Sequence, residues 1–474
     1  MLVKIKRNIL KIIRLLMLTK YFQRSTVLLF SKSLYKAQVF TIIYNEITER
    51  NDKLHDINTY SGYGSNYRLA LNGFDKSRTG RSIKKIANKT FKKRKKQLDT
   101  GFCEGVLFAT RSWHFLEPLL QYYETNNLKY YRYDVNAYDT KYFQQNKVNN
   151  KAKYHREYSF SSMKKMFRVG FDPGLESNIY LDSPSIKEIE KADVIFVDWL
   201  NHNAFWALDT LPTNKKIIIR VHSYEVFSFF PCVINFGRVD GLIFISHGIK
   251  EVFLELWGWM LPKGILIDVI DNIRLPRKEL TIDQSGNLNR SKTIGMMQYA
   301  QSVKGFRFAL NVFKKIYQID NSYRFLLCGH KLSEISSSEN ELLTKEINDF
   351  PSGVIIELGY INDVREYFEK VGFILSTSER EGSHESIIQG MSYGCIPIIR
   401  NWPLLSPFNA AQKAFPMCNI IESEDEAVKK IFTDNSAFCE LSERYKTASD
   451  VYFNSIIPEK YLAFINKVKK NEKN

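Results

Sequence analysis

The segment most able to do chemistry runs from Ser376 to Ile399, STSEREGSHESIIQGMSYGCIPII. A short apolar strand is expected to end at Ser376, an acidic glycine-containing loop follows, and a helix is expected from near Ser386, with Ile387, Ile388 and Met391 on its buried side. The unpaired amides of such a helix start point toward the strand ends, where they would meet an anionic or hydroxylated ligand, and Glu381 is held at that position. A second segment, YAQSVKGFRFALNVFKKI from Tyr299 to Ile316, sets Lys304 just before Gly305 and another helix start, where an ammonium group beside free amides can neutralise a diphosphate. His222 closes the β-branched run Ile217–Val221, a position that suits a proton-handling imidazole and equally a satisfied structural histidine. Asn201, His202 and Asn203 are polar loop residues at another strand end.

Other chemistries lack their signatures. There is no G-x-x-x-x-G-K-[ST] and no G-x-G-x-x-G, which removes the main support for P-loop and dinucleotide-oxidoreductase readings. The eight His form no H-E-x-x-H pair, no Cys/His cluster has zinc-ligand spacing, and no D-x-D triplet occurs, so no protein-bound metal or other cofactor is expected. Cys103, Cys232, Cys328, Cys395, Cys418 and Cys439 are scattered and none forms a C-x-x-C pair, which favours a reducing, cytoplasmic compartment.

These residues need a scaffold, and the apolar pattern supplies one. The chain has 474 residues, 44% hydrophobic and 25% charged, which is enough to bury a core and unlike a disordered or disulfide-rich sequence. From Gly105 onward short apolar runs alternate with helical periodicity: Val106–Thr110, Tyr130–Val135, Val194–Val197, Ile217–Val221 and Leu242–Ile245, with Ser112 as expected N-cap of a first helix reaching about Asn126. A polar stretch, TIDQSGNLNRSK, reads as a linker, after which strands are expected at Thr293–Met297, Arg324–Cys328, Val354–Leu358, Phe373–Ser376 and Ile396–Ile399. Between the first two of these, Phe306, Ala309, Leu310, Phe313, Ile316 and Tyr317 share a helix face. Strand–helix alternation of this kind specifies parallel sheets with crossover helices. The expected organisation is a basic extension over 1–100, an α/β domain over 101–280, a linker over 281–292, a second α/β domain over 293–455 and a C-terminal crossing helix and tail over 456–474. Two Rossmann-like domains facing one another would bind ligands in the cleft at the carboxyl ends of both sheets.

With those elements in place, the sequence resembles the retaining glycosyltransferases of the GT-B fold, family-four type (glycosyl transferases group 1). The family's loop and helix carry E-G-F-x-x-x-x-x-E-A-M-A-x-G-x-P; here Glu381, Gly382, Ser383, His384, Glu385, Ser386, Gln389, Met391 and Gly394 keep the spacing, and Pro397 stands one place beyond the family's proline. The resemblance implies that Glu381 hydrogen-bonds hydroxyls of a donor sugar, with the Ser383 and His384 amides nearby, and that Lys304 is a phosphate ligand. It departs from the family at Gln389, where a second Glu holds the nucleotide ribose, and at the cation that often precedes Lys304, absent here from Met296 to Val303; Arg307, one turn later, is the candidate substitute. His222 matches a histidine that lies near the transferring sugar, and Asn201, His202 and Asn203 would contact acceptor hydroxyls. What the resemblance implies is a metal-independent retaining glycosyltransferase moving a sugar from a nucleoside-diphosphate sugar to a glycan, lipid-linked or cell-surface polymer acceptor. A glycan-binding or partner subunit that has lost turnover is the alternative that Gln389 motivates. The likeness covers about residues 104–455.

The formal charge of +17 resides entirely in residues 1–100, which hold 23 Lys/Arg against 6 Asp/Glu, whereas the remainder is neutral. On a helical wheel Lys4, Arg7, Lys11 and Arg14 form one stripe, and Ile5, Ile9, Ile12, Ile13 and Leu16 lie nearly opposite. Such a helix over residues 1–45 would rest on an anionic membrane surface, placing the protein peripherally on the cytoplasmic face; an amphipathic helix docked on its own protein has the same periodicity. The run from Lys76 to Lys96 has eleven basic residues and no acid but only Phe91 as an aromatic, so nucleic-acid binding is not expected. The longest uncharged stretch, Ser386–Ile399, is shorter than the ~17 residues a membrane-spanning helix requires.

Overall fold

The structure, a computed structural model, describes residues 105–135, 191–274 and 290–471, less 111, 202, 205–206, 209–214, 227–230, 232–233, 235, 336–337 and 454–455. The basic arm over 1–100, His202 and residues 281–289 of the expected linker lie outside the described residues. The described residues divide into two compact units, one holding those within 105–245, 249–270 and 458–471, the other those within 246–248 and 271–457.

The first unit is a parallel sheet of six strands in the order β2-β1-β3-β4-β5-β6. They are β1 (Val106–Thr110), β2 (Tyr130–Asp134), β3 (Val194–Asp198), β4 (Lys216–Val221), β5 (Gly241–Phe244) and β6 (Leu266–Val269). β1, β3, β4 and β5 are buried almost throughout, which is why they appear in the sequence as continuous apolar runs rather than as alternation. β6 was hidden because its burial is partial and Asp268 interrupts it. Helix α1 (Glu117–Thr125) starts later than the sequence suggests: Leu116 is the cap residue, and the Ser112 hydroxyl pairs with His114 Nδ1 at 2.8 Å instead of capping. Pro118 in the first turn, where its missing N–H costs nothing, accounts for the shifted start. Two further helices matter here, the single turn α2 (Ser223–Val226) and α3 (His247–Trp257).

The second unit is also a parallel sheet of six strands, in the order β12-β11-β10-β7-β8-β9. Its strands are β7 (Thr293–Met297), β8 (Arg324–Cys328), β9 (Ile355–Gly359), β10 (Phe373–Ser376), β11 (Ile396–Arg400) and the two-residue β12 (Ile420–Ile421). Its helices are α4 (Phe306–Ile319), α5 (Ser338–Asn348), α6 (Val364–Phe368), α7 (Glu385–Ser392), α8 (Ala410–Ala414), α9 (Glu424–Asn435) and α10 (Phe438–Ala448). α4 buries Phe306, Ala309, Leu310, Val312, Phe313 and Ile316 against the sheet. The last helix, α11 (Ile457–Lys470), packs on the first unit, where Phe464 lies so close to β5 that a Cβ on Gly241 would come within 2.8 Å of its ring. Among the described residues no helix is long and apolar enough to cross a membrane.

Candidate active site

In the second unit β7 and β10 are adjacent, so the loops at their carboxyl ends lie side by side. The chain leaves β7 through Gln298 in left-handed conformation (φ 56°), makes a single turn at Ser302–Lys304, and enters α4 at Gly305, also left-handed at φ 65°. Only glycine fits there: a Cβ would lie 2.3 Å from the Thr377 carbonyl oxygen. The loop after β10 stitches itself to this turn. Thr377 Oγ1 donates to the Lys304 carbonyl at 2.9 Å, and the Glu379 N–H donates to the Val303 carbonyl at 2.8 Å.

That stitching brings Lys304 and Glu381 together. Lys304 Nζ donates to Glu381 Oε1 at 2.6 Å, and Ser378 Oγ donates to the same oxygen at 2.6 Å. Burial works against ionisation of Glu381, but the charge that His384 carries when protonated, the Lys304 ammonium and the two hydrogen bonds outweigh it and hold the carboxyl at about 2. His384 occupies the cap position of α7, 5% exposed, with Nδ1 3.1 Å from the Ser386 hydroxyl and Nε2 3.5 Å from Glu381 Oε1. Burial brings its pKa down to about 4 against the pull of Glu381, so the ring is neutral at pH 7 and its Nε2 has no hydrogen-bond partner. A carboxylate, an ammonium and a neutral imidazole therefore share one corner where α4 and α7 both begin, a setting suited to anionic and polyhydroxylated ligands together.

Gly382 is buried, Ser383 and Ser386 are half-buried, and Gln389 sits half-buried within α7, its carbonyl accepting from Ser392 Oγ at 2.7 Å. Arg307 is engaged elsewhere: its Nε donates to Glu339 at 2.9 Å and Nη1 to Glu346, both on α5. Two cations that sequence reading passed over stand nearer the corner. Arg400, the last residue of β11, bonds the Thr377 carbonyl and Glu379 and lies over the Phe308 ring at 4.6 Å. Arg274, 5% exposed at its side chain, grips Ser383, Asp271 and Glu385, the last at 2.8 Å, and Asn272 Nδ2 donates to Glu385 at 3.0 Å. The parallel register explains the missed Arg400: it ends the strand beside β10, a relation no local motif encodes.

In the first unit His222 follows β4, and the residues around it form a buried cluster. Asp198 and Arg220 are direct register partners on β3 and β4; Arg220 Nε and Nη2 donate to the two Asp198 oxygens at 2.7 and 2.9 Å, both side chains fully buried. His222 Nε2 lies 2.8 Å from Asp198 Oδ1, and the indole of Trp199 stacks on its ring at 3.8 Å and 12°. Arg220 Nη1 also reaches the Tyr461 hydroxyl on α11 at 3.2 Å. Asp198 is depressed well below the ordinary carboxylate range, since Arg220 and then His222 overcome the cost of burial. Glu225 on α2 is pushed the other way, to about 8, by burial, although the Leu200 and His222 amides donate to its Oε1 at 2.9 and 3.2 Å. Asn201 Nδ2 donates to the Tyr224 hydroxyl at 2.5 Å. Asn203 is buried, its amide tied to the Asp198 carbonyl at 2.7 Å. Among the described residues no group of three or more His, Cys, Asp or Glu side chains is placed to hold a metal ion.

No protein-family model matches the sequence. No curated protein matches it either. Solved structures do share the fold. A glycosyltransferase from Rickettsia africae aligns with a TM-score of 0.53 at 14% identity, over 78% of this chain and all of that one. HepE of Anabaena, in complex with UDP and glucose, aligns at 0.50 and 11% identity, over 77% of this chain and all of HepE. A trehalose-6-phosphate synthase, described as catalysing glycosyl transfer with retention, aligns at 0.50 and 10% identity, over 78% of this chain and all of that one. Against TarM the chain spans 55% of that protein's length, at a TM-score of 0.47. The fold is that of the GT-B glycosyltransferases: parallel α/β sheets with flanking helices in two units.

Proposed function

We propose that this chain is a nucleotide-sugar-dependent glycosyltransferase. The observation that carries the reading is the Lys304–Glu381 contact of 2.6 Å, made by two loops at the carboxyl ends of adjacent strands and beside two helix starts. A nucleoside diphosphate leaves with negative charge, and Lys304 with the α4 and α7 amides supplies stabilisation for it without a metal. An incoming diphosphate competes with Glu381 for the ammonium, which turns the carboxylate toward the hydroxyls of the sugar. UDP and glucose bound to HepE, whose fold is similar, favour a UDP-sugar as donor. Retention of anomeric configuration is the expected stereochemistry, in line with the trehalose-6-phosphate synthase. His222 is assigned a catalytic role, and Asn201 and Asn203 are assigned to the acceptor side. Acceptors are glycans, lipid-linked sugars or cell-surface polymers, met at the cytoplasmic face of an anionic membrane on which the basic arm rests.

A second reading has its own observation. Gln389 brings no charge to α7, and Arg307 is engaged by α5, so the chain could retain the fold as a glycan-binding or partner subunit without turnover. One experiment separates the two. The full chain is screened with UDP, UDP-glucose, UDP-N-acetylglucosamine and GDP-mannose by thermal shift, and sugar release is assayed for each binder. Under the first reading UDP or its sugars raise the melting temperature, Glu381→Ala lowers turnover on the order of 100-fold or more with nucleotide affinity little changed, and Lys304→Met weakens the nucleotide itself. Binding of none of them, together with no hydrolysis, sinks it. Binding without turnover favours the second, and in that case Gln389→Glu leaves nucleotide affinity as it was.

A further inference from the structure

We infer that Asp198, anchored by Arg220, is a positioning residue for His222: the pair fixes the ring as its Nε2–H tautomer and presents the Nδ1 lone pair as the acceptor for a substrate hydroxyl. The role of His222 toward substrate rests on the reading above; the positioning rests on the cluster itself.

Hydrogen-bond logic supplies the direction. Arg220 has donors only and takes both Asp198 oxygens, at 2.7 and 2.9 Å. Asp198 Oδ1 is 2.8 Å from His222 Nε2, and an ionised carboxylate accepts only, so Nε2 carries the proton. Burial, with Arg220 and His114 adding to it and Asp198 opposing, lowers the pKa of His222, so the ring has one proton and not two. The charged and titratable groups facing it are Asp198, Arg220, Glu225 and His114. Arg220 is itself held by Tyr461 on α11, the Trp199 indole lies flat on one ring face, and Phe115 stands 5.4 Å away.

Trp199 gives a further pointer. Its backbone is left-handed at φ 77°, a conformation that a bulky residue rarely adopts and that persists where surrounding structure imposes it. That backbone puts the indole on the His222 ring immediately after the strand that delivers Asp198. The strain is thus attached to the same imidazole that Asp198 and Arg220 orient.

The test uses the full-length chain with ¹⁵N-labelled histidine. Long-range ¹H–¹⁵N correlation reports each ring's tautomer, and His222→Gln identifies the signal among the eight histidines. The expected result at pH 7 is a protonated Nε2 and an unprotonated Nδ1. Asp198→Asn is expected to abolish the fixed tautomer and to lower kcat for UDP-glucose hydrolysis on the order of 100-fold, with KM within about threefold. Should that variant fail to fold because Arg220 is left as a buried unpaired charge, Asp198→Asn/Arg220→Met removes both charges and is read in the same way. An Nδ1–H tautomer or an imidazolium in the wild type overturns the inference, and so does a folded variant with wild-type tautomer and turnover. Absence of any nucleotide-sugar turnover in the wild type counts against the proposed function instead; the tautomer and its loss in the variants then decide the positioning alone.

Discussion

Each unit sets a histidine against an ionised carboxylate and a cation, but the two trios are built differently. In the first unit Asp198 and Arg220 are both at 0% side-chain exposure and are joined by two hydrogen bonds between register partners; in the second, Glu381 and Lys304 are 12% and 16% exposed and joined by one. Arg220 is moreover clasped by Tyr461, whereas Lys304 projects from a loop. A guanidinium held by a planar fork in a dry interior is costly to displace, and an ammonium at a half-open edge is not. The difference teaches that the same residue chemistry serves two ends: the buried trio positions, and the partly open trio exchanges partners.

The largest expected effect lies on the alkaline side and belongs to the first unit alone. Burial, against the backbone hydrogen bonds it accepts, pushes Glu225 to about 8 from an ordinary 4.5. Its contribution to stability is therefore full below pH 4.5 and is lost as pH rises through 8, a total of about 5 kcal/mol. Glu225→Gln preserves the acceptor and cannot ionise, so urea unfolding between pH 5 and 8.5 should show the wild type weakening and the variant level. Parallel profiles would erase this distinction between the units. The next effect is acidic. His384 at about 4 stabilises the second unit above pH 6.5, and about 3 kcal/mol is lost as pH falls from 6.5 to 4. His384→Gln should flatten that limb as monitored by a probe in the second unit; if the acid loss is unchanged, the ring is not buried neutral. His222 is shifted in the same direction, so an acid limb is common to both units and only the alkaline limb sets them apart.

Legibility in the sequence follows the range of the interactions. Strands buried on both faces, such as β3 and β10, announce themselves as apolar runs, and the Lys304 and Glu381 loops could be placed because each is bounded by a strand and a helix start. Half-exposed β6 and two-residue β12 carry too little apolar pattern to be read. The Asp198–Arg220–His222 cluster was invisible for a different reason. Asp198 is separated from Arg220 and His222 by a crossover, and only the register of β3 on β4 sets Asp198 against Arg220. Arg290 shows the converse error: it falls in a polar stretch that reads as linker, yet it is 2% exposed and donates to the Tyr393 carbonyl at 2.9 Å. A polar residue can be buried wherever a carbonyl waits for it, and composition does not report that.

If side chains lock the first trio, the backbone must lock the second, and Gly305 is where this can be tested with the smallest change. Lys304 can exchange partners only if its own turn stays in place, and that turn is pressed against the loop after β10 so closely that a Cβ at 305 would lie 2.3 Å from the Thr377 carbonyl oxygen. Gly305→Ala adds one methyl group and asks alanine to hold φ 65°, for an expected loss of about 2 kcal/mol and a drop in melting temperature of about 6 °C. Because the clash would push Lys304 away from Glu381, the variant should also bind UDP several-fold more weakly, whereas the ¹⁵N signature of His222 in the first unit should not move. Unchanged melting together with unchanged UDP affinity would mean that the turn is not held by its backbone, and the contrast between a side-chain lock and a backbone lock would fail.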